Sequence, residues 1–158
     1  MFHRWLVAHD LDTCSDAAAT MAAQIAVAQA QVEGKQGRLV LCHVVVPVPL
    51  VIAPDVMGLP DMVATLAAAN VDAGHELEAK AAALRTAFPA LRIETRLVSG
   101  PAVPTILDEA DRQDVDAIAV GTHGLHGLAH ALLGSVAEKT ANRSRKPVLV
   151  AKLDPPAA

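Results

Sequence analysis

Residues 115–136 read VDAIAVGTHGLHGLAHALLGSV, and this is the stretch that decides the fold. It opens as a short apolar run over 115–120, passes through Gly121, Thr122, His123, Gly124, Leu125, His126 and Gly127, and takes up helical spacing from Leu128 with Leu132 and Val136. A strand, a glycine loop and a helix start, in that order, make an anion cradle. Glycines leave backbone N–H groups uncovered by side chains, and the first N–H groups of a helix have no partner within it. Such a site suits a phosphate.

Outward from this stretch, strands and helices alternate along the chain. Residues 5–8 are an apolar run bounded by His9 and Asp10, a buried strand that delivers Asp10 to its C-terminal end. From Asp16, the spacing of Ala17, Met21, Ile25, Ala28 and Val32 predicts an amphipathic helix closing near Gly34. Residues 38–46, RLVLCHVVV, are apolar on both parities, as in a central parallel strand covered on both faces. Pro47, Pro49, Pro54, Gly58 and Pro60 then break regular structure, giving a long loop at the same end of the sheet as Asp10. A helix is predicted from Asp61, with Met62, Leu66, Ala69, Ala73, Leu77, Ala81, Leu84 and Phe88 on one stripe; Asn70 and Gly74 weaken it, so packing must hold it.

Residues 91–98 alternate, with Leu91, Ile93, Thr95 and Leu97 on one side and Arg92, Glu94 and Arg96 on the other, as in a half-exposed edge strand. After Ser99-Gly100-Pro101, the spacing of Val103, Ile106, Leu107 and Ala110 predicts a short helix with Pro101 or Pro104 in its first turn. Beyond the opening stretch, the basic residues of 142–146 suit a helix C-terminus, 147–152 form the last strand, and 154–158 are a frayed tail. The β-α-β-α-β-α-β-α-β order predicts an α/β fold with an open, doubly wound, parallel five-stranded sheet in one domain, residues 1–153. Ligands on such sheets bind outside the strand C-termini where the strand order reverses.

Composition narrows the function. The 158 residues carry a formal charge of −4 with no dense Lys/Arg run, so the electrostatic footprint of a nucleic-acid binder is absent. Phe2, Trp5 and Phe88 are the whole aromatic inventory, too few for base-stacking platforms. Cys14 and Cys42 make no disulfide framework and no C-x-x-C pair, which fits a reducing compartment. The N-terminal apolar run is short of a signal-peptide core, and no run approaches the ~20 apolar residues of a membrane span. A soluble, cytoplasmic protein is expected.

The spacing in the opening stretch is more specific than glycine richness. Gly121 and Gly124 are two residues apart, nine residues follow, and Gly134-Ser135 closes the pattern before the PVLV strand at 147–150. With Asp10 after the first strand and His43-Val44 at the end of the second, this G-x2-G-x9-G-S run resembles the nucleotide-binding subgroup of the universal stress protein family. Those are small cytoplasmic α/β domains, typically homodimeric, whose ATP-binding members carry this motif. The resemblance covers nearly the whole chain apart from 47–60. It implies a Rossmann-like, adenine nucleotide alpha hydrolase-like sheet of order 3-2-1-4-5, with its crevice between the strands ending at Ala8 and Val120. It further implies that ATP, with Mg²⁺, lies with ribose and phosphates along Gly121, Thr122, His123, Gly124, Leu125, His126 and Gly127. The phosphates would also meet Gly134, Ser135 and Val136, and the backbone of Val44 would border the adenine. Ala8 stands where the family often has a small residue or proline, two positions before the Asp. The closing strand would pair with its twin in a homodimer, and the nucleotide state would tune stability, dimerisation or contact with an unidentified protein partner. A slow ATPase or nucleotide-dependent transferase, and a structural dimer without nucleotide, are the alternatives.

Individual residues carry competing readings. The motif lacks the G-K-[ST] ending of a Walker A loop, so no lysine sits on the terminal phosphates, Lys139 reads as solvated, and slow hydrolysis or none is expected. Asp10 reads equally as a helix cap or as a group facing the ribose or a phosphate-bound Mg²⁺. His123, His126 and His130 have spacing that could hold a metal on a helix, but the first two fall in the loop and suit pH modulation of affinity better. His43 reads as a core histidine, His3 and His75 as surface, and His9 has no assigned role. Cys42 reads as a buried hydrophobe, Cys14 as a helix-opening residue, and Asp108, Glu109 and Asp111 as a solvated helix face.

Overall fold

The computed structural model describes residues 1–45, 47, 59–122 and 134–152. Among these, the elements alternate as β1 (Arg4–Ala8), α1 (Thr13–Glu33), β2 (Gly37–Val45), α2 (Leu59–Ala87), β3 (Leu91–Ser99), α3 (Ala102–Arg112), β4 (Ala117–Gly121), α4 (Ser135–Arg143) and β5 (Val148–Ala151). The strands are parallel and ordered β3-β2-β1-β4-β5, the doubly wound order expected. Alternation along each strand splits the core in two. Trp5, Val7, Leu39 and Leu41 face α1 and α2, whereas Leu6, Cys42, Ile118 and Val120 face α3 and α4. β3 and β5 lie at the two edges, as the half-exposed pattern of the one predicts and the strand order implied by the resemblance expects of the other.

Helix α1 presents a different face from the one its larger apolar residues suggest. Cys14, Ala18, Ala19, Ala22, Ala23, Ala26 and Ala30 are buried, while Met21 and Val32 are exposed. The alanines let the helix lie close on the sheet. A Cβ on Gly121 would come within 2.6 Å of the Cys14 backbone, so the end of β4 touches the first turn of α1 and only glycine fits there. Gly34 closes α1 in the left-handed region at φ 63°, as expected of a C-terminal glycine.

Helix α2 has 29 residues, about 43 Å at 1.5 Å per residue. Its C-terminal half packs through Leu77 and Ala81, with Leu84 and Phe88 against the same core, whereas Ala69 of the predicted stripe is exposed. Pro101 caps α3 and Pro104 lies in its first turn. Three further readings are corrected. Glu109 is not solvated: it is fully buried, because Arg96 from β3, Arg112 from α3 and Gln113, the C-cap of α3, converge on its carboxylate at 2.8–2.9 Å. His3 is half-buried between Glu33 and Asp116 rather than on the surface. The helix expected from Leu128 through Val136 is broken at Gly134, whose ψ of 144° is non-helical, so the described helix starts at Ser135; residues 128–133 lie outside the described residues.

Candidate functional site

The strand order reverses at β1, which pairs with β2 on one side and β4 on the other, so Ala8 sits beside both Cys42 and Val120. The chain leaves these strand ends towards opposite faces, and a crevice opens between the departures. It contains a cavity of about 540 Å³, well within the ~300–1,000 Å³ of small-molecule sites.

Four segments line it. β1 and the turn after it contribute Ala8, His9 and Asp10, with Ser15 from α1; β2 contributes Cys42, His43 and Val44; the start of α3 contributes Ala102 and Ile106; and Val120, Gly121 and residues 134–137 complete the wall. The cavity is polar at one end and apolar at the other. Val44, Ala102, Ile106 and Val120 form the apolar wall. Burial, reinforced by the nearby Glu109 carboxylate, pushes the Cys42 thiol up to about 12, so this cysteine is an uncharged wall rather than a nucleophile.

The polar end is built by backbone. Gly134 is the N-cap of α4, and its carbonyl accepts the first intrahelical bond, from Glu138 N–H at 2.9 Å. The N–H groups of Ser135, Val136 and Ala137 precede that bond, and all three residues line the cavity. An anion there would meet unsatisfied donors at the positive end of the helix. No lysine or arginine lines the cavity among the described residues, nor does the sequence hold one between 121 and 134.

The turn from β1 into α1 carries the site's carboxylate. Asp12, not Asp10, is the N-cap of α1. Asp10 Oδ1 instead accepts from Ser15 Oγ at 2.5 Å and from the Asp12 N–H at 3.1 Å, which fixes the carboxylate at the cavity's edge. Between them Leu11 adopts φ 69°, unusual for a side chain of this kind.

Of the residues singled out from sequence, Ala8, Asp10, Val44, Gly121, Gly134, Ser135 and Val136 are brought together on this one lining. Thr122 is directed elsewhere: its N–H and hydroxyl both donate to the Ala151 carbonyl on β5, at 2.9 and 3.3 Å. His123, Gly124, Leu125, His126 and Gly127, together with His130, lie outside the described residues. Sequence reasoning did not place His9, Ser15, Cys42, His43, Ala102, Ile106 or Ala137 on this lining. His9 and His43 had a signal, each a polar side chain at the C-terminal end of an otherwise apolar strand; the His43 Nδ1–H donates to the His9 carbonyl at 2.7 Å.

Comparison with known proteins gives the same picture. Residues 1–152 match the model of the universal stress protein family. A universal stress protein of Thermus aquaticus is 32% identical over 152 residues, covering 96% of this chain and all of that protein. Shorter matches, to relatives from Methanocaldococcus jannaschii and Mycobacterium tuberculosis, span about a third of those proteins' length. Among solved structures, UspA from Lactobacillus plantarum shares the fold with a TM-score of 0.73 at 22% identity, covering 95% of this chain and 97% of its own. A universal stress protein in complex with cAMP has a TM-score of 0.55 at 26% identity, covering 94% and 95%. With an end-to-end family match on a sheet of the expected order, this chain belongs to the universal stress protein family.

Proposed function

We propose that the cavity binds an adenine nucleotide, ATP with Mg²⁺, and that the chain is a regulatory, stress-response domain of the ATP-binding subgroup rather than an efficient enzyme. The observation that carries the reading is the start of α4, whose first N–H groups open onto a crevice that is apolar at its other end. The base fits the wall of Val44, Ala102 and Ile106, the ribose hydroxyls fit Asp10, and the phosphates fit the amides and hydroxyl at Ser135. The cAMP bound by the 26% identical relative supports a nucleotide of this base.

No group of His, Cys, Asp or Glu among the described residues is arranged to hold a metal of its own. In this reading the Mg²⁺ arrives on the phosphates, where it offsets their charge beside a described lining without lysine or arginine. Backbone donors without a phosphate-directed lysine bind a nucleotide without strongly activating it, so hydrolysis is slow or absent. The exposed edge of β5 suits pairing with a second copy of the chain. No helix among the described residues is long and apolar enough to cross a membrane.

The test uses proline at the helix start. Ser135 is the first residue of α4, where proline is tolerated, and Gly134 at φ −57°, ψ 144° already has the conformation that precedes proline. Ser135→Pro removes one N–H and the hydroxyl; Ser135→Ala removes the hydroxyl alone. Calorimetry with ATP and Mg²⁺ should show wild-type binding, a loss of about tenfold or more in Ser135→Pro, and a smaller loss in Ser135→Ala, with melting little changed. Wild-type protein that takes up no adenine nucleotide overturns the reading.

A further inference from the structure

The β1–α1 turn is held from beneath by an enclosed side chain. The His9 imidazole is fully enclosed, with 0% of its side chain exposed. Its Nδ1 accepts the Leu11 N–H at 3.0 Å, so the neutral ring carries its proton on Nε2, and that N–H donates to Asp16 Oδ1 at 3.0 Å. Lys80 Nζ, reaching across from α2, donates to both Asp16 oxygens at 2.9 Å. The His9 main chain is also fixed, its N–H on the Cys42 carbonyl at 2.8 Å and its carbonyl on His43.

We infer that His9, as its Nε2–H tautomer, is a positioning residue for the nucleotide cavity: it holds Leu11 in its left-handed conformation and thereby sets where the Asp10 carboxylate stands. This rests on the nucleotide reading above. The left-handed conformation is unfavourable for leucine, so it persists because its surroundings impose it. The Leu11 amide is held by His9 on one side. On the other, Asp10 accepts the Asp12 N–H and the Ser15 hydroxyl. Removing the acceptor at Nδ1 leaves the Leu11 N–H without its partner and lets the turn relax, carrying the carboxylate off the ribose position. The neutral ring is the form favoured here, since burial lowers the His9 pKa from 6.5 against the opposing pull of Asp16, while Lys80 adds to the lowering.

Two substitutions separate positioning from bulk stability. In His9→Asn the amide oxygen can stand in for Nδ1 as acceptor of the Leu11 N–H, but the link to Asp16 is lost. In His9→Ala both are lost. Calorimetry with ATP and Mg²⁺ should show affinity falling about five- to tenfold in His9→Ala and largely recovered in His9→Asn, although both lose the Asp16 link. Equal weakening in the two variants overturns the inference. A ligand-free arm reads the tautomer directly: long-range ¹H–¹⁵N spectra of the whole labelled chain should show the His9 ring with unprotonated Nδ1 and protonated Nε2. The opposite tautomer overturns the inference even where nucleotide binds. Wild-type protein that binds no nucleotide, yet shows the expected tautomer, overturns the nucleotide reading, and the positioning role falls with it.

Discussion

Glu109 shows what a single residue can hide. Asp108, Glu109 and Asp111 look alike in a helix of alternating character, yet Glu109 is 1% exposed while Asp108 and Asp111 are in solvent. The difference comes from Arg96, a β3 residue in register with Cys42, whose guanidinium reaches over to the carboxylate. No spacing within α3 reveals that partner, which is why the sequence reading failed here. Burial pushes the Glu109 pKa up, but hydrogen bonds from Gln113 and Arg96 and the charges of Arg96 and Arg112 outweigh it, leaving the group below its usual 4.5. A depressed carboxylate pKa means stability that is fully present above the unfolded value and lost as pH falls through the folded one. Glu109→Ala should therefore cost about 2–3 kcal/mol at pH 7, below the roughly 3–5 kcal/mol of a fully buried broken pair because both arginines can rehydrate. Urea melts followed by the single buried Trp5 should show that deficit shrinking as pH drops below 4.5.

At the scale of elements, the period of α1 was legible and its face was not. Hydrophobic spacing picks out the largest side chains, and Met21, Ile25 and Val32 fall on a helical stripe as well as the alanines do. What decides between the faces is distance to the sheet: α1 lies against the end of β4 closely enough that alanine fits and larger side chains do not. Ala22→Leu should thus be destabilising by about 2 kcal/mol, whereas Met21→Lys, on the exposed side, should stay within about 0.5 kcal/mol of wild type. Thermal melts of the two variants read this; equal effects would return the face to the larger residues. The start of α4 was misplaced for a related reason. Leu128, Leu132 and Val136 keep helical spacing across Gly134, and spacing alone does not register a non-helical ψ.

For the whole molecule, much more could be read. Alternating strand and helix patterns predict a parallel doubly wound sheet, and the motif resemblance supplies the strand order, so the crevice beside Ala8 and Val120 follows before any coordinates. Not legible was the wall from α3, because Ala102 and Ile106 carry no chemistry that marks them. The proposed pairing through β5 is tested at this scale. In a parallel ladder the N–H groups of Val148 and Val150 point away from β4, so Val150→Pro removes an outward donor while leaving the β4 bonds in place. Sedimentation of the wild-type chain should give twice the chain mass, and Val150→Pro should give a monomer with its sheet intact.

The dipole-built anion end has one more consequence. Helix amides act only at short range, and no lysine or arginine stands on the lining among the described residues, while the chain as a whole is formally negative by four charges. On the proposed nucleotide reading, an incoming polyphosphate is therefore repelled until it arrives. Raising ionic strength shortens the reach of that repulsion, so capture quickens with added salt, the reverse of a pocket that draws its ligand in with lysines.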